Sequence, residues 1–346
     1  MKLPELVKID LHLHLDGSIL PRTLWELAQE QGVATPTNTL EEYEAYIRQK
    51  SGCGSVNEYL EMFDLPVAVM QDAESLARVT RELVERLHDQ KLDYAEIRFA
   101  PQLHTKQGLT QSKAVEAVLR GRQEGLARCP GFDVQILCCM MCIGTEQVNW
   151  EENMETVRVT KEFLGQGVAG LDLAGAEGIV PLSNFAPLFE QARAWNLPCT
   201  CHAGDSQHAD TVNMALDFGV RRVGHGHHIA EDPAVLRRAI ENHAAIEVCP
   251  TSNIQCRTQP SYREHPAKWL LDQGLMVTIN TDNMTFAGVD LDAEYAHCLE
   301  DMGFEEEDLF QMSEHSIRAA FMSEERREML LRKLEGLRAA WRKEQK

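Results

Sequence analysis

The chain has 346 residues, 44% hydrophobic and 25% charged, ordinary values for a globular protein that exclude a disordered or collagen-like chain. Its 54 acidic side chains against 34 Lys and Arg leave a net charge of −20, which disfavours nucleic acid and anionic membrane surfaces and suits a small neutral or cationic partner. No apolar run reaches the roughly 20 residues that span a bilayer, and the start MKLPELVKIDLHLHLDGS lacks the apolar core of a signal peptide, so the ten cysteines read as reduced thiols of a cytoplasmic protein.

Short apolar strands alternate with amphipathic helices along the chain, the pattern of a parallel sheet with crossover helices. Strands are expected at Val7–Leu13, Tyr94–Phe99, Val134–Cys139, Val168–Leu173, Pro198–Cys201, Arg222–Gly224, Ala245–Val248 and Val277–Ile279. Helices are expected at Glu74–Lys91, Ser112–Arg128, Glu151–Leu164, Phe185–Trp195, Asp210–Phe218, Pro233–Asn242, Pro266–Gln273 and Leu291–Met302. In the first of these, Leu76, Val79, Leu83, Val84 and Leu87 recur at helical spacing. Residues 20–90 separate the first two strands and read as mostly helical, an insertion placed to form part of a pocket lid, with Met62 and Phe63 either lining an apolar wall or packing in the core. The stretch from Glu305 is also helical, and Glu324–Lys346 reads as a helix on the outside. Eight β–α units point to a single-domain (β/α)8 barrel over residues 1–346, and no GxGxxG turn follows the first strand to favour an open doubly wound sheet.

Strand ends of such a barrel converge on one face. The polar residues there are His12 and His14 from strand 1, His202 from strand 5, His225 from strand 6 and Asp282 from strand 8. Histidines and a carboxylate meeting at one point suit a zinc-class divalent ion. The spacing of His12 and His14 places both imidazoles on one face of a strand, with Leu13 on the other.

The segments KIDLHLHLDGSI (Lys8–Ile19), RFAPQLH (Arg98–His104), DLAG (Asp172–Gly175), HAGD (His202–Asp205), VGHGHH (Val223–His228), CPTSN (Cys249–Asn253) and TINTDN (Thr278–Asn283) occur in the order and spacing of the adenosine deaminase family. The chain resembles the bacterial branch of that family over nearly its whole length. The resemblance implies one zinc ion per chain, held by His12, His14, His202 and Asp282. It implies hydrolytic deamination of adenosine, with 2′-deoxyadenosine as a second substrate, by a zinc-activated water attacking purine C6. Strand 4 ends without the bridging Lys that two-metal relatives use. By the same resemblance His225 serves as base and electrostatic partner of the water, Asp282 also accepts from it, and Asp205 protonates or hydrogen-bonds ring N1. His14, Asp16, Gly175 and Asn283 would face the substrate, with Asp16 on the ribose 5′-hydroxyl and the Gly175 N–H on N3.

Three positions depart from the family pattern. Asp205 stands where the family has Glu, Asn283 replaces a second Asp, and Ala176 replaces an acid beside Glu177. All fall around the purine and none among the metal ligands. An altered aminopurine substrate is therefore the alternative, and a non-catalytic purine-binding protein the more remote one. Helix capping after strand 5 is the alternative role for Asp205. His227 and His228 read as loop residues, and Cys139 and Cys142 as buried free thiols rather than a redox pair.

Overall fold

A computed structural model describes residues 3–52, 59–143 and 149–345. Residues 53–58 of the expected helical insertion, and the terminal residues Met1, Lys2 and Lys346, lie outside the described part. Eight parallel strands are present: β1 (Ile9–His14), β2 (Tyr94–Phe99), β3 (Asp133–Cys142), β4 (Val168–Gly175), β5 (Thr200–Ala203), β6 (Arg222–His225), β7 (Ala245–Val248) and β8 (Met276–Ile279). They pair in sequence order as two four-stranded arcs, β1 to β4 and β5 to β8. Single bridges join the arcs, Leu171 with Cys199 on one side and Leu13 with Asp282 on the other. At the second seam the His14 N–H donates to the Asp282 carbonyl at 2.7 Å, and the Asp282 N–H donates to the His12 carbonyl at 2.8 Å. The Asp10 carboxylate reinforces this closure by accepting from the hydroxyl and the N–H of Thr281. The expected barrel is present, and its eight strands overlap the eight expected ones.

Strand bounds differ at the ends. β1 begins two residues later than expected and includes His14, while β4 and β6 continue into Gly175 and His225. Apolar patterning cannot mark such ends, because the residues that finish these strands are polar or glycine. β1 also shifts register against β2 between Asp10 and Leu13, a bulge directly at the first histidine.

The helix Ala73–Asp89 follows the expected periodicity. Asp72 caps its first turn by accepting from the N–H groups of Glu74 and Ser75, and Leu76, Val79, Leu83, Val84 and Leu87 are buried against the barrel. Together with helices Pro21–Gln31, Leu40–Lys50 and Asp64–Val69 ahead of it, this helix makes up most of the insertion. The C-terminal helix Glu324–Glu344 lies outside the barrel and buries only Leu330 and Leu334. No described helix is long and apolar enough to cross a membrane.

The barrel interior is not purely apolar. Glu96 and Arg98 on β2, Asp172 on β4, Arg222 on β6 and Glu247 on β7 are fully or almost fully buried. Glu247 accepts from Arg98 at 2.8 Å, Arg222 at 2.6 Å, the Thr200 hydroxyl at 3.0 Å and His12 Nδ1 at 2.9 Å. Arg98 also donates to Asp172, and Arg222 to Glu96. Each buried charge meets an opposite one, as burial requires. Burial alone would protonate Glu247, but Arg222 and Arg98 hold its carboxyl well below the usual range.

Replacing Glu247 with Leu takes one of two carboxylate partners from each of two buried guanidiniums, Arg98 and Arg222. The expected loss is about 3–5 kcal/mol of unfolding free energy, measured by urea denaturation. Glu328→Ala, which removes the exposed pair between Arg332 and Glu328, should cost under about 0.5 kcal/mol. Equal effects of the two substitutions would contradict the account of the interior.

Candidate metal and purine site

Four of the expected side chains meet at the C-terminal mouth of the barrel. His12 Nε2 and His14 Nε2 lie 3.6 and 3.4 Å from Asp282 Oδ1, and the ligand atoms of these three residues are all within 4.8 Å of one another. The His202 ring lies 4.5 Å from that of His12 and 5.4 Å from that of His14. His225 joins the same cluster, with its ring 4.7 Å from His12 and 5.3 Å from His202. The closing seam accounts for the first three. Asp282 pairs through its backbone with His12 and His14, so the side chains of strands 1 and 8 are brought together where the barrel joins.

The hydrogen bonds behind the cluster fix the ring nitrogens. His12 Nδ1 faces the Glu247 carboxylate and His202 Nδ1 faces that of Asp172 at 3.2 Å. A carboxylate behind Nδ1 places the ring proton there and leaves Nε2 with its lone pair forward. His12 Nε2 is buried and has no hydrogen-bond partner among the described residues. A buried nitrogen lone pair without a donor, beside a carboxylate and two further imidazoles, fits a divalent metal. Burial, followed by the charges of Arg98 and His202, keeps His12 well below the usual imidazole range, so it stays a neutral ligand. Burial also opposes protonation of His202, but the Asp172 carboxylate outweighs it and raises that imidazole. The Ser252 hydroxyl donates to Asp282 Oδ2 at 2.6 Å, leaving Oδ1 toward the histidines.

Two of these residues carry backbone strain. His225 and Asp282 both adopt φ of +59°, the left-handed region that side chains beyond glycine rarely enter. Each turns the chain sharply at the end of its strand and aims the side chain into the mouth.

A cavity of about 320 Å³ opens beside His14. His14, Asp16 and Gly175 line it, together with Cys139 and Met141 of β3 and Leu60, Phe63 and Val67 of the insertion. The insertion therefore contributes a wall, as expected. Phe63 takes part and packs its ring 5.1 Å from Phe286, whereas Met62 does not line the cavity and is buried. Gly175 sits at φ +108°, and a Cβ there would lie 2.4 Å from the Cys142 carbonyl, so only glycine fits. Burial pushes the Asp16 carboxyl up to about 6.

Asp205 and Asn283 are set back from this cavity. Asn283 Oδ1 is buried, has no described hydrogen-bond partner, and lies against Gly17, where an added Cβ would overlap it. Asp205 caps no helix, since the N-cap position of the following helix, Ala209–Asp217, is His208. Its Oδ1 instead accepts from Asn253 Nδ2 and the Thr258 hydroxyl, both at 2.9 Å, and lies 3.7 Å from His225 Nδ1. Burial, then the nearby Glu177 charge, pushes the Asp205 carboxyl up to about 6.

Several contributors escape sequence reasoning. The Glu177 carboxylate accepts from four consecutive N–H groups, those of Gly204, Asp205, Ser206 and Gln207, and from the Thr211 hydroxyl. It holds the loop that carries Asp205. Lys106 lines the cavity, and no spacing pattern marks it. Charged residues inside expected strands were the available signal for Arg98, Arg222 and Glu247. Cys139 and Cys142 are free thiols, as are all nine described cysteines.

With this geometry in hand, comparison with known proteins decides the family. A model of the adenosine deaminase family matches residues 7–336. The chain belongs to that family. Its members hydrolyse carbon–nitrogen bonds of cyclic amidines, and this chain is a hydrolase of that class. An adenosine deaminase of Haemophilus ducreyi is 40% identical over 327 residues, covering 93% of this chain and 94% of its own. Among solved structures, an adenine deaminase from Arthrobacter aurescens superposes with a TM-score of 0.86 at 26% identity, covering 98% of this chain and all of its own. The N6-methyl-AMP deaminase of Arabidopsis thaliana gives a TM-score of 0.82 at 27% identity, with 96% of each chain covered.

His12→Ala and Asp282→Ala should each abolish retention of a bound divalent ion, read by elemental analysis after gel filtration, while His228→Ala should keep it. Full metal content in the His12 and Asp282 variants would contradict the ligand assignment.

Proposed function

We propose that the protein is a zinc-dependent adenosine deaminase that hydrolyses adenosine and 2′-deoxyadenosine to the inosine product and ammonia. The observation that carries this reading is the forward-facing, unpartnered Nε2 of His12 at the centre of the cluster formed with His14, His202 and Asp282. These four residues would hold the ion. When bound, zinc lowers the pKa of water to about 7, making hydroxide available at neutral pH.

The rest of the chemistry falls to the protein. Water must add its oxygen to C6 and give up one proton while N1 gains one; the bond from C6 to the amino group then breaks as the proton of the added hydroxyl passes to the departing nitrogen, leaving the 6-oxopurine and ammonia. Asp205 supplies the proton at N1, and burial suits it to that task by keeping its carboxyl protonated to higher pH than an ordinary Asp. His225, facing the same point as the metal-ligand nitrogens, orients the water. Asp16 receives the ribose 5′-hydroxyl, and the Gly175 N–H meets N3 where glycine allows close approach. The apolar wall of Phe63, Val67 and Met141 gives the sugar a dry side. The free thiols fit a reducing cytoplasm.

A second reading keeps the chemistry and changes the base. It rests on Asn283, whose unpartnered Oδ1 presents an acceptor in place of a carboxylate. Formation of the 6-oxopurine product from adenosine, 2′-deoxyadenosine, adenine and N6-methyl-AMP, with and without a chelator, separates the two; the first three release ammonia and the last methylamine. Chelator-sensitive turnover of adenosine above the others is the expected result, and turnover of another purine alone would move the assignment. Asp205→Glu restores the family residue but pushes its oxygens past Asn253 and Thr258. We expect kcat/KM for adenosine to fall by at least about tenfold, and a gain would contradict the station assigned to Asp205.

A further inference from the structure

On the far side of His225 from the metal ligands lies a chain of hydrogen bonds that starts at a backbone group. The Ala267 N–H donates to His265 Nδ1 at 3.2 Å. A backbone amide cannot reverse its role, so His265 Nδ1 is an acceptor and the ring proton of the neutral imidazole sits on Nε2. Burial, then the charges of His225 and His228, keeps His265 neutral by pulling its pKa down to about 3. His265 Nε2 lies 3.2 Å from Asn253 Oδ1. This fixes the amide orientation, with Oδ1 toward His265 and Nδ2 on the opposite side. The reversed amide would set N–H against N–H at His265, and would face Asp205 Oδ1 with a second acceptor.

The amide nitrogen has two hydrogens and two acceptors at hand, Asp205 Oδ1 at 2.9 Å and His225 Nδ1 at 3.1 Å. Each acceptor then has a consequence. His225 Nδ1 is an acceptor, so its ring proton lies on Nε2, the nitrogen turned to the metal cluster. Asp205 Oδ1 receives both Asn253 and Thr258, so a proton on this carboxyl belongs on Oδ2.

We propose that Asn253 and His265 are positioning residues that set the proton on both working groups at once, Nε2 of His225 and Oδ2 of Asp205. His225 then enters the reaction as a hydrogen-bond donor that aligns the water, neither a fifth metal ligand nor the base that the family resemblance suggested. The inference rests on the deaminase reading for its kinetic consequence, but the proton positions can be observed without it.

The first measurement is ring nitrogen NMR on zinc-loaded protein labelled with 15N-histidine, with His225 assigned by the signal lost in His225→Gln. The expected result is a protonated Nε2 and a bare Nδ1. A proton on Nδ1 overturns the proposal, whether or not adenosine is turned over. In Asn253→Asp an oxygen replaces the donor, and the His225 proton should move to Nδ1. With zinc content kept, kcat should drop by about 10²-fold to 10⁴-fold, the range lost when a catalytic imidazole holds the wrong tautomer or an acid–base group is removed. His265→Gln places an amide donor near Nε2 and should keep kcat within a few-fold of wild type, whereas His265→Leu should lower kcat at least about tenfold with KM little changed. Equal activity of the Gln and Leu variants overturns the pairing. An inactive wild type with the expected tautomer would sink the deaminase reading and leave the proton assignment standing.

Discussion

Glu247 lies inside the barrel out of reach of water and accepts from Arg98, Arg222, Thr200 and His12. A carboxylate in such a place is costly unless several donors surround it. Here the donors come from β1, β2, β5 and β6, so one acid on β7 ties strands from around the barrel. The arrangement also determines chemistry. The proton of His12 goes to Nδ1 because Glu247 is behind it, and Nε2 is thereby left for a metal. Asp172 does the same for His202, and Arg98 bridges the two carboxylates. Stability of the interior and polarity of the site are one network.

The second constraint is geometric. The barrel closes between β1 and β8 through backbone bonds of His12 and His14 to Asp282, so side chains far apart in sequence meet at the joint itself. Left-handed backbone at His225 and Asp282 and glycine at 175 then turn the chain where regular strands would carry the side chains past the mouth. These conformations cost energy, and the surrounding hydrogen bonds hold them. The loop at 204–207, in turn, depends on Glu177 alone for most of its backbone partners.

The barrel and the meeting of His12, His14, His202 and Asp282 were legible in the sequence because both leave periodic traces. Eight apolar runs alternate with helices, and polar residues stand at the ends of particular runs. The extensions of β4 and β6 were not legible, since Gly175 and His225 break the apolar pattern that defines a strand. Asp205 illustrates a second limit. The exchange of Glu for Asp was visible, but its partners Asn253 and Thr258 come from the short helix Pro250–Gln255 after β7 and the turn that follows it, and only the fold places them there. Glu177 stood beside the noted exchange at Ala176, yet its work lies in collecting main-chain N–H groups, which no side-chain pattern reports. His265 belongs to no motif at all and matters only through what Asn253 does with its amide.

Which ring nitrogens face the barrel mouth decides whether these residues can hold a metal. Crystals of the zinc-loaded protein, measured at the zinc absorption edge, test this most directly. A single anomalous peak about 2.0–2.2 Å from Nε2 of His12, Nε2 of His14, Nε2 of His202 and a carboxylate oxygen of Asp282 is the predicted result. A peak bound through Nδ1 of His12, or none at the barrel mouth after loading, would contradict it.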